Sequence, residues 1–244
     1  MSESVPAPAP ALARGFFQDL VDLYVAPREA FASLVVKRSF WLALAILLAV
    51  NAAGAAIWLQ KVDKKEFIRS QIEEYGMWDK IPAEQREAAL DTSGFDRQVW
   101  LGIFVFRPLF FAALAGIYLF IYRFFFASEV SFVQSLTILL YTFMAVELLK
   151  GPLVLLILAM KGDWNLNPEF VLQASPALFL DKQSVPKAVW ALVDSIDLFS
   201  FWTLWLITAG HRAASRLTAS SAFVGAAIPW VIYVLIKVGF SALF

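Results

Sequence analysis

Residues 187–212 read "KAVWALVDSIDLFSFWTLWLITAGHR", an apolar stretch with two aspartates, Asp194 and Asp197, well inside its ends. If Asp197 lay at the water boundary, the residues from there to His211 would rise only about 21 Å, at about 1.5 Å per helical residue. That rise is shorter than the hydrocarbon core of a bilayer, which is about 30 Å thick. The segment is therefore predicted to begin near residue 188 and to carry both carboxylates inside a membrane.

The composition agrees with a membrane protein, because 60% of the residues are hydrophobic and 16% are charged. A soluble domain is closer to half apolar and a quarter charged. The net charge is zero, which argues against a nucleic-acid partner. Cysteine is absent, and this excludes disulfides, thiolate metal sites and a cysteine nucleophile.

Working outward from residues 187–212, the chain contains four more apolar stretches long enough to cross a bilayer. The predicted spans are residues 40–59, 99–122, 132–160, 188–210 and 221–242. They make up a membrane domain over residues 39–244, with polar loops at residues 60–98 and 161–187. The predicted fold class is an all-α polytopic membrane protein with five transmembrane helices.

The residues before the first span form a tail and an amphipathic segment. Residues 1–10 are predicted to be disordered, and residues 11–38 to form interfacial amphipathic helices that face lipid or the bundle. The apolar face carries Phe16, Leu20 and Tyr24, with Asp19 and Asp22 expected off it. Packing of this segment against another soluble element stays open as an alternative.

Because successive spans cross the bilayer in opposite directions, the charges inside them are predicted to lie at a similar depth. We call the side where the first span begins the near side and the opposite side the far side. The charged residues inside the spans all fall in the far half of the bilayer: Arg107, Glu147, Lys150, Asp194, Asp197 and Lys237. A lone charge there is costly, so a buried, mutually neutralising cluster is predicted. Two interpretations stay open, namely a structural ion-pair network and a substrate, ion or proton site.

Orientation and chemistry are signalled more weakly. Lys37, Arg38, Arg212 and Arg216 flank spans on the near side, which favours a cytoplasmic N-terminus. His211 is interpreted as an interfacial residue at a helix end. No nucleotide-binding, hydrolase or metalloprotease motif occurs, so neither an enzyme, a cofactor nor a metal site is predicted.

Three short stretches resemble the YIP family, the Ypt/Rab-interacting five-span membrane proteins. They are "LVDLYVAPREAFASL" at residues 20–34, "SFVQSLTILLYTFM" at residues 131–144 and "SIDLFSFWTLWLITAGHRAAS" at residues 195–215. The residues that match the family signature of the fourth span are Asp197, Phe199, Trp202 and Gly210. The resemblance implies an all-α five-span fold with a cytoplasmic N-terminus.

Eukaryotic members of that family are linked to vesicle trafficking and small GTPases. The short tail and the large loop at residues 60–98 depart from those members, which favours the bacterial branch in the inner membrane and argues against a small GTPase partner. The predicted function is a non-enzymatic membrane organiser, or trafficking-like scaffold, that acts through the lipid bilayer and through a homo-oligomer or membrane-protein partner. The alternative is a small transporter or permease subunit that uses the charge cluster.

Overall fold

The computed structural model describes residues 15–37, 39–74, 76–172, 174–181, 184–215 and 217–243. The predicted disordered tail, Arg38 and Arg216 lie outside these residues. The regular structure of the described part is entirely helical. The α-helices are α1 (Phe16–Val25), α2 (Pro27–Lys37), α3 (Trp41–Leu59), α4 (Lys64–Glu74), α5 (Arg86–Ala89), α6 (Phe95–Leu101), α7 (Arg107–Phe126), α8 (Phe132–Lys161), α9 (Pro168–Val171), α10 (Lys187–Ser195), α11 (Leu198–Ala214) and α12 (Ala219–Leu243). Short 3₁₀ turns occur at Trp78–Lys80, Ala83–Gln85 and Pro176–Phe179.

Four continuous helices of the described chain are long and apolar enough to cross a membrane. They are α3, α8, α12 and the helix Phe95–Phe126, in which a π-helical turn at Gly102–Phe106 joins α6 to α7. The pair α10 and α11 meets the same test only when its two parts are joined, and it is bent by 47°. The chain is therefore an all-α polytopic membrane protein, with five spans if the bent pair counts as one.

Helix α8 is the centre of the bundle. It begins with a capping box in which the Ser131 hydroxyl accepts from the Gln134 amide and the Gln134 side chain accepts from the Ser131 amide. It continues for 30 residues, past Pro152, to Gly162 in the left-handed conformation. It contacts α2, α3, α7 and α11, and its near-side half is almost wholly buried. A single long helix therefore organises the packing of its neighbours.

The N-terminal hairpin of α1 and α2 packs on this bundle, chiefly against α8 and α11. Phe16, Leu20 and Tyr24 are partly buried against the bundle core, and the Tyr24 hydroxyl donates to the Ala145 carbonyl at 2.9 Å. Burial raises the pKa of the Tyr24 hydroxyl. The apolar face of α1 thus meets the bundle.

The expectation that Asp19 lies off the packed face is wrong, because its side chain is fully buried. Its carboxylate accepts the Lys37 ammonium at 2.6 Å and the Ser33 hydroxyl at 3.4 Å, both from α2. A buried carboxylate is tolerated when it is paired and hydrogen-bonded. This pairing joins the two helices of the hairpin, and periodicity alone could not reveal it.

The two polar loops pack together at the far side. The Trp58 indole donates to the Trp164 carbonyl at 2.9 Å, and the Asp63 amide donates to the Asn165 side chain at 2.8 Å. The Trp58 ring also packs on the rings of Phe67 and Phe95. These contacts fix a polar, aromatic layer over the ends of α3 and α8.

Candidate functional site

The fourth predicted span is not one helix, because α10 ends at Ser195 and α11 begins at Leu198. Asp197 stands at the break with an extended backbone and caps α11. Its carboxylate accepts the amides of Phe199 and Ser200 at 2.9 and 3.1 Å, and the Ser200 hydroxyl donates to its other oxygen. A helix that begins inside a membrane must satisfy its first amides within the protein. Asp197 therefore caps the start of α11, and it makes no ion pair within the described part of the chain.

The loop before α10 completes this cap. The Leu198 amide, the first of α11, donates to the Ala174 carbonyl at 3.1 Å. The negative charge of Asp197 also lies at the positive end of the α11 dipole, where it is favoured. A span predicted to be continuous has no internal helix start to cap, so the sequence did not predict this role, and the depth of Asp197 in the membrane stays a prediction.

Asp194, at the end of α10, has a different partner. Lys237 of α12 donates to its carboxylate at 2.8 Å, and both side chains are about three-quarters buried. Helices α10 and α12 pack along each other, so this ion pair lies within their interface. Among the six charges predicted to cluster, Asp194 and Lys237 are the two that form an ion pair within the described residues.

All six predicted charges line a single cavity of about 910 Å³. Its walls come from α3, the π-helical turn, α8, α10 and α12, and the layer of polar loops contributes Gln71, Asn167 and Glu169. The Arg107 guanidinium donates to the Asn51 side chain of α3, and Asn51 in turn donates to the Leu47 carbonyl at 2.7 Å. Asn51 is a polar lining residue that the sequence did not predict, since a single uncharged amide in an apolar span gives no clear signal of a site.

Glu147 and Lys150 of α8 also line the cavity and are half-buried. Neither makes a hydrogen bond or an ion pair within the described part of the chain. Neutralisation of the whole set by direct contacts therefore stays a prediction. Of the six predicted charges, the geometry leaves two cations, Arg107 and Lys150, and one carboxylate, Glu147, available to a bound molecule.

The residues of the family signature each have a packing role around α11. Phe199 lines the cavity just after the cap, and the Trp202 ring lies 5.7 Å from the Tyr24 ring of the N-terminal hairpin. Gly210 faces Ile138 of α8 so closely that a Cβ atom would overlap its side chain. The signature residues thus cap the start of α11, contact α1 and allow the close approach of α11 to α8.

His211 lies in the last turn of α11, as predicted for a residue at a helix end, and its side chain is fully buried within the protein. Its ring stacks on Tyr122 of α7 at 4.0 Å between centroids, and its Nδ1 is 2.9 Å from the Ile207 carbonyl. The Tyr122 and Tyr118 hydroxyls donate to the Ala222 and Ala226 carbonyls of α12. The sequence offered one signal for this second polar cluster, the spacing of Tyr118 and Tyr122 by one helical turn.

No group of three or more acidic or histidine side chains in the described residues is arranged to hold a metal ion. The cavity instead combines charge, hydrogen-bonding groups and an apolar surround, which suits the binding of a molecule with both polar and apolar parts.

A family model described as the Yip1 domain matches residues 21–240, which is nearly the whole chain. No curated protein matches the chain, and no solved structure does.

Proposed function

The chain belongs to the Yip1 family of membrane proteins, and on that premise we propose that it is a non-enzymatic protein that organises the bilayer from one side. The observation that carries the proposal is the outer face of the N-terminal hairpin. Phe17, Val21 and Val25 of α1 and Val36 of α2 are exposed, while the opposite face of the same hairpin packs on the bundle. A helix with apolar residues on its free face beside a membrane domain inserts that face into the lipid.

The hairpin should bend the bilayer because it inserts into one leaflet and not into the other. The hairpin is attached next to the start of α3, so its apolar residues enter the near leaflet only. Added volume in one leaflet favours curvature toward that side, because the two leaflets must remain in contact. The bilayer itself is then the first partner, with a second copy of the chain or another membrane protein concentrating the effect.

A vesicle assay tests this role. We would reconstitute the chain into lipid vesicles and measure vesicle diameters by electron microscopy against protein-free vesicles. Val21 is 59% exposed on the lipid-facing side of α1, so Val21→Asp should lift α1 from the leaflet and return the diameters toward those of protein-free vesicles. Gln18→Asp places the same charge at a neighbouring exposed polar position and should leave the wild-type effect intact. Equal diameters for wild type and Val21→Asp would rule out the hairpin as the cause.

The localisation proposed with this role is a bacterial inner membrane with the N-terminus in the cytoplasm, where Lys37 and Arg212 flank the near ends of the spans. A small GTPase is not among the partners proposed. The partners proposed are the bilayer and a membrane-embedded protein, which includes another copy of the chain.

A second candidate function is transport of a small polar molecule, and the cavity of about 910 Å³ is the observation that favours it. Charged groups inside a membrane commonly mark a substrate path. Uptake into liposomes that hold the purified protein, compared with liposomes that hold Lys150→Met, would test this function. Unchanged transport by Lys150→Met would show that the cavity is not part of the transport path.

A further inference from the structure

We propose that the charged cavity binds the headgroup of a phosphoethanolamine lipid and that an adjoining apolar crevice holds part of its acyl chain. The inference concerns the bundle interior, so it is independent of the membrane-organising role of the N-terminal hairpin. It names a ligand for the same cavity that the transport candidate would use.

The first observation is the uneven satisfaction of the charges. Lys237 pairs with Asp194, and Asp197 is engaged by the start of α11. Among the described residues Arg107 has one acceptor, the Asn51 side chain, although a guanidinium offers five donors. Lys150 and Glu147 have no partner among the described residues. The cavity therefore presents unpaired donors of positive charge next to the unpaired carboxylate of Glu147.

The second observation is a crevice that begins where these charges end. It has a volume of about 350 Å³, and five of its lining residues are apolar: Leu47, Phe106, Phe110, Phe111 and Phe143. The remaining three, Gly102, Arg107 and Glu147, also line the charged cavity. Phe106 and Phe110 are 64% and 57% exposed, so the crevice opens on the lipid-facing surface of α7.

The third observation is the backbone at this junction. The helix changes to a π-helical turn at Gly102–Phe106, immediately before Arg107. Such turns are rare and often lie at functional sites. Gly102 has no atom within 4 Å of where a Cβ would stand, so the junction between cavity and crevice is open space.

Charge complementarity selects the headgroup. A phosphate matches Arg107 and Lys150, since guanidinium and ammonium groups form charge-assisted hydrogen bonds with phosphate oxygens. A purely anionic headgroup would leave Glu147 as a repelling carboxylate within the same cavity. A primary ammonium removes that repulsion and donates to Glu147, whereas a quaternary ammonium has no N–H to donate. Each charged group of the lipid thereby pairs with a group of opposite charge that would be costly to leave alone inside a membrane.

The apolar crevice distinguishes a lipid from a soluble ligand. Pockets that bind small molecules ordinarily have volumes of about 300–1,000 Å³, and both the cavity and the crevice fall in this range. A water-soluble zwitterion would fill the charged cavity and leave the crevice unused. An amphiphile that enters from the lipid side fills both, with its polar part at Arg107 and Glu147 and its chain between Phe106, Phe110 and Leu47.

The test is native mass spectrometry of the purified full chain in detergent, titrated with phospholipids of identical acyl chains and ethanolamine, choline or glycerol headgroups. The ethanolamine lipid should bind most tightly. Glu147→Gln should lower its affinity about tenfold or more and abolish its advantage over the glycerol headgroup, because a charge-assisted hydrogen bond is lost. Lys65→Met, in the polar layer outside the spans, is the control and should bind as wild type does.

A second variant tests the crevice separately. Gly102→Leu should block the junction and weaken lipid binding, while Gly239→Leu at an exposed position of α12 should not. At both positions an added Cβ atom would have no neighbour within 4 Å. Circular dichroism confirms that each variant is folded. Equal binding of the three headgroups by wild type, or unchanged binding by folded Glu147→Gln, would overturn the proposal. Full competition by soluble phosphoethanolamine would show a solute site and overturn it as well.

Discussion

At the scale of single residues, the Asp197 carboxylate forms no ion pair with the described residues, and its role is instead to cap a helix. It accepts the amides of Phe199 and Ser200 and so satisfies the start of a helix that lies inside the bundle. Its neighbour Asp194 solves the same problem differently, by pairing with Lys237. Two aspartates three residues apart therefore have unrelated roles.

The cap makes a prediction that an ion pair would not make. Asp197→Ala should destabilise the protein by about 1 kcal/mol or more, since the amides of Phe199 and Ser200 lose their acceptor. Asp197→Asn should cost much less, because an asparagine oxygen caps a helix nearly as well. Thermal unfolding in detergent, followed by circular dichroism, measures both. Equal losses for Ala and Asn would mean that the charge matters and not the cap.

At the scale of helices, two glycines set how closely neighbours approach. Gly210 of α11 lies against Ile138 of α8, and Gly225 of α12 lies against the ring of Tyr122 of α7. Small residues at such crossings allow the close packing on which membrane helices depend. The Tyr122 ring in turn stacks on the buried His211, so α7, α11 and α12 meet at one point.

Adding a methyl group at either glycine should therefore separate two helices. Gly210→Ala and Gly225→Ala should each cost about 1–3 kcal/mol, the usual penalty for overpacking. Gly239→Ala is the matched control in α12, where nothing lies within 4 Å of the new atom, and it should be neutral or slightly stabilising. Unfolding midpoints in detergent compare the three. A midpoint of Gly210→Ala equal to that of Gly239→Ala would contradict the close approach.

At the scale of the whole molecule, the parity of the spans decides which surfaces share a side. If α10 and α11 count as one span, the loop at residues 60–98 and the turn between α11 and α12 lie on opposite sides of the bilayer. The proposed orientation puts that turn in the cytoplasm and the loop outside.

Cysteine labelling tests this arrangement cleanly, since the natural chain contains no cysteine. Lys80→Cys and Ser220→Cys both lie at exposed positions. In intact cells, an impermeant maleimide should label Lys80→Cys, whereas Ser220→Cys should react only after permeabilisation. Labelling of both in intact cells would contradict the parity, and the reverse pattern would invert the orientation.

The sequence by itself determined the membrane class, the helical fold and the family. Long apolar stretches can only be helices in lipid, since every backbone group must be satisfied within the segment. The parity of the spans depends only on their order along the chain, so it too follows from the sequence. It predicted that six charges lie at one depth, and these six residues line one cavity in the structure.

Only the tertiary structure decided what those charges do. The break before Leu198 depends on the Ala174 carbonyl from a distant loop, and the burial of Asp19 depends on Lys37 of the next helix. The burial of His211 depends on the aromatic rings of α7. Periodicity reports which face of one helix is apolar, but it cannot report which partner another element brings to a polar group. The role of a buried polar residue is therefore fixed by long-range packing, and it became visible only when the helices were assembled.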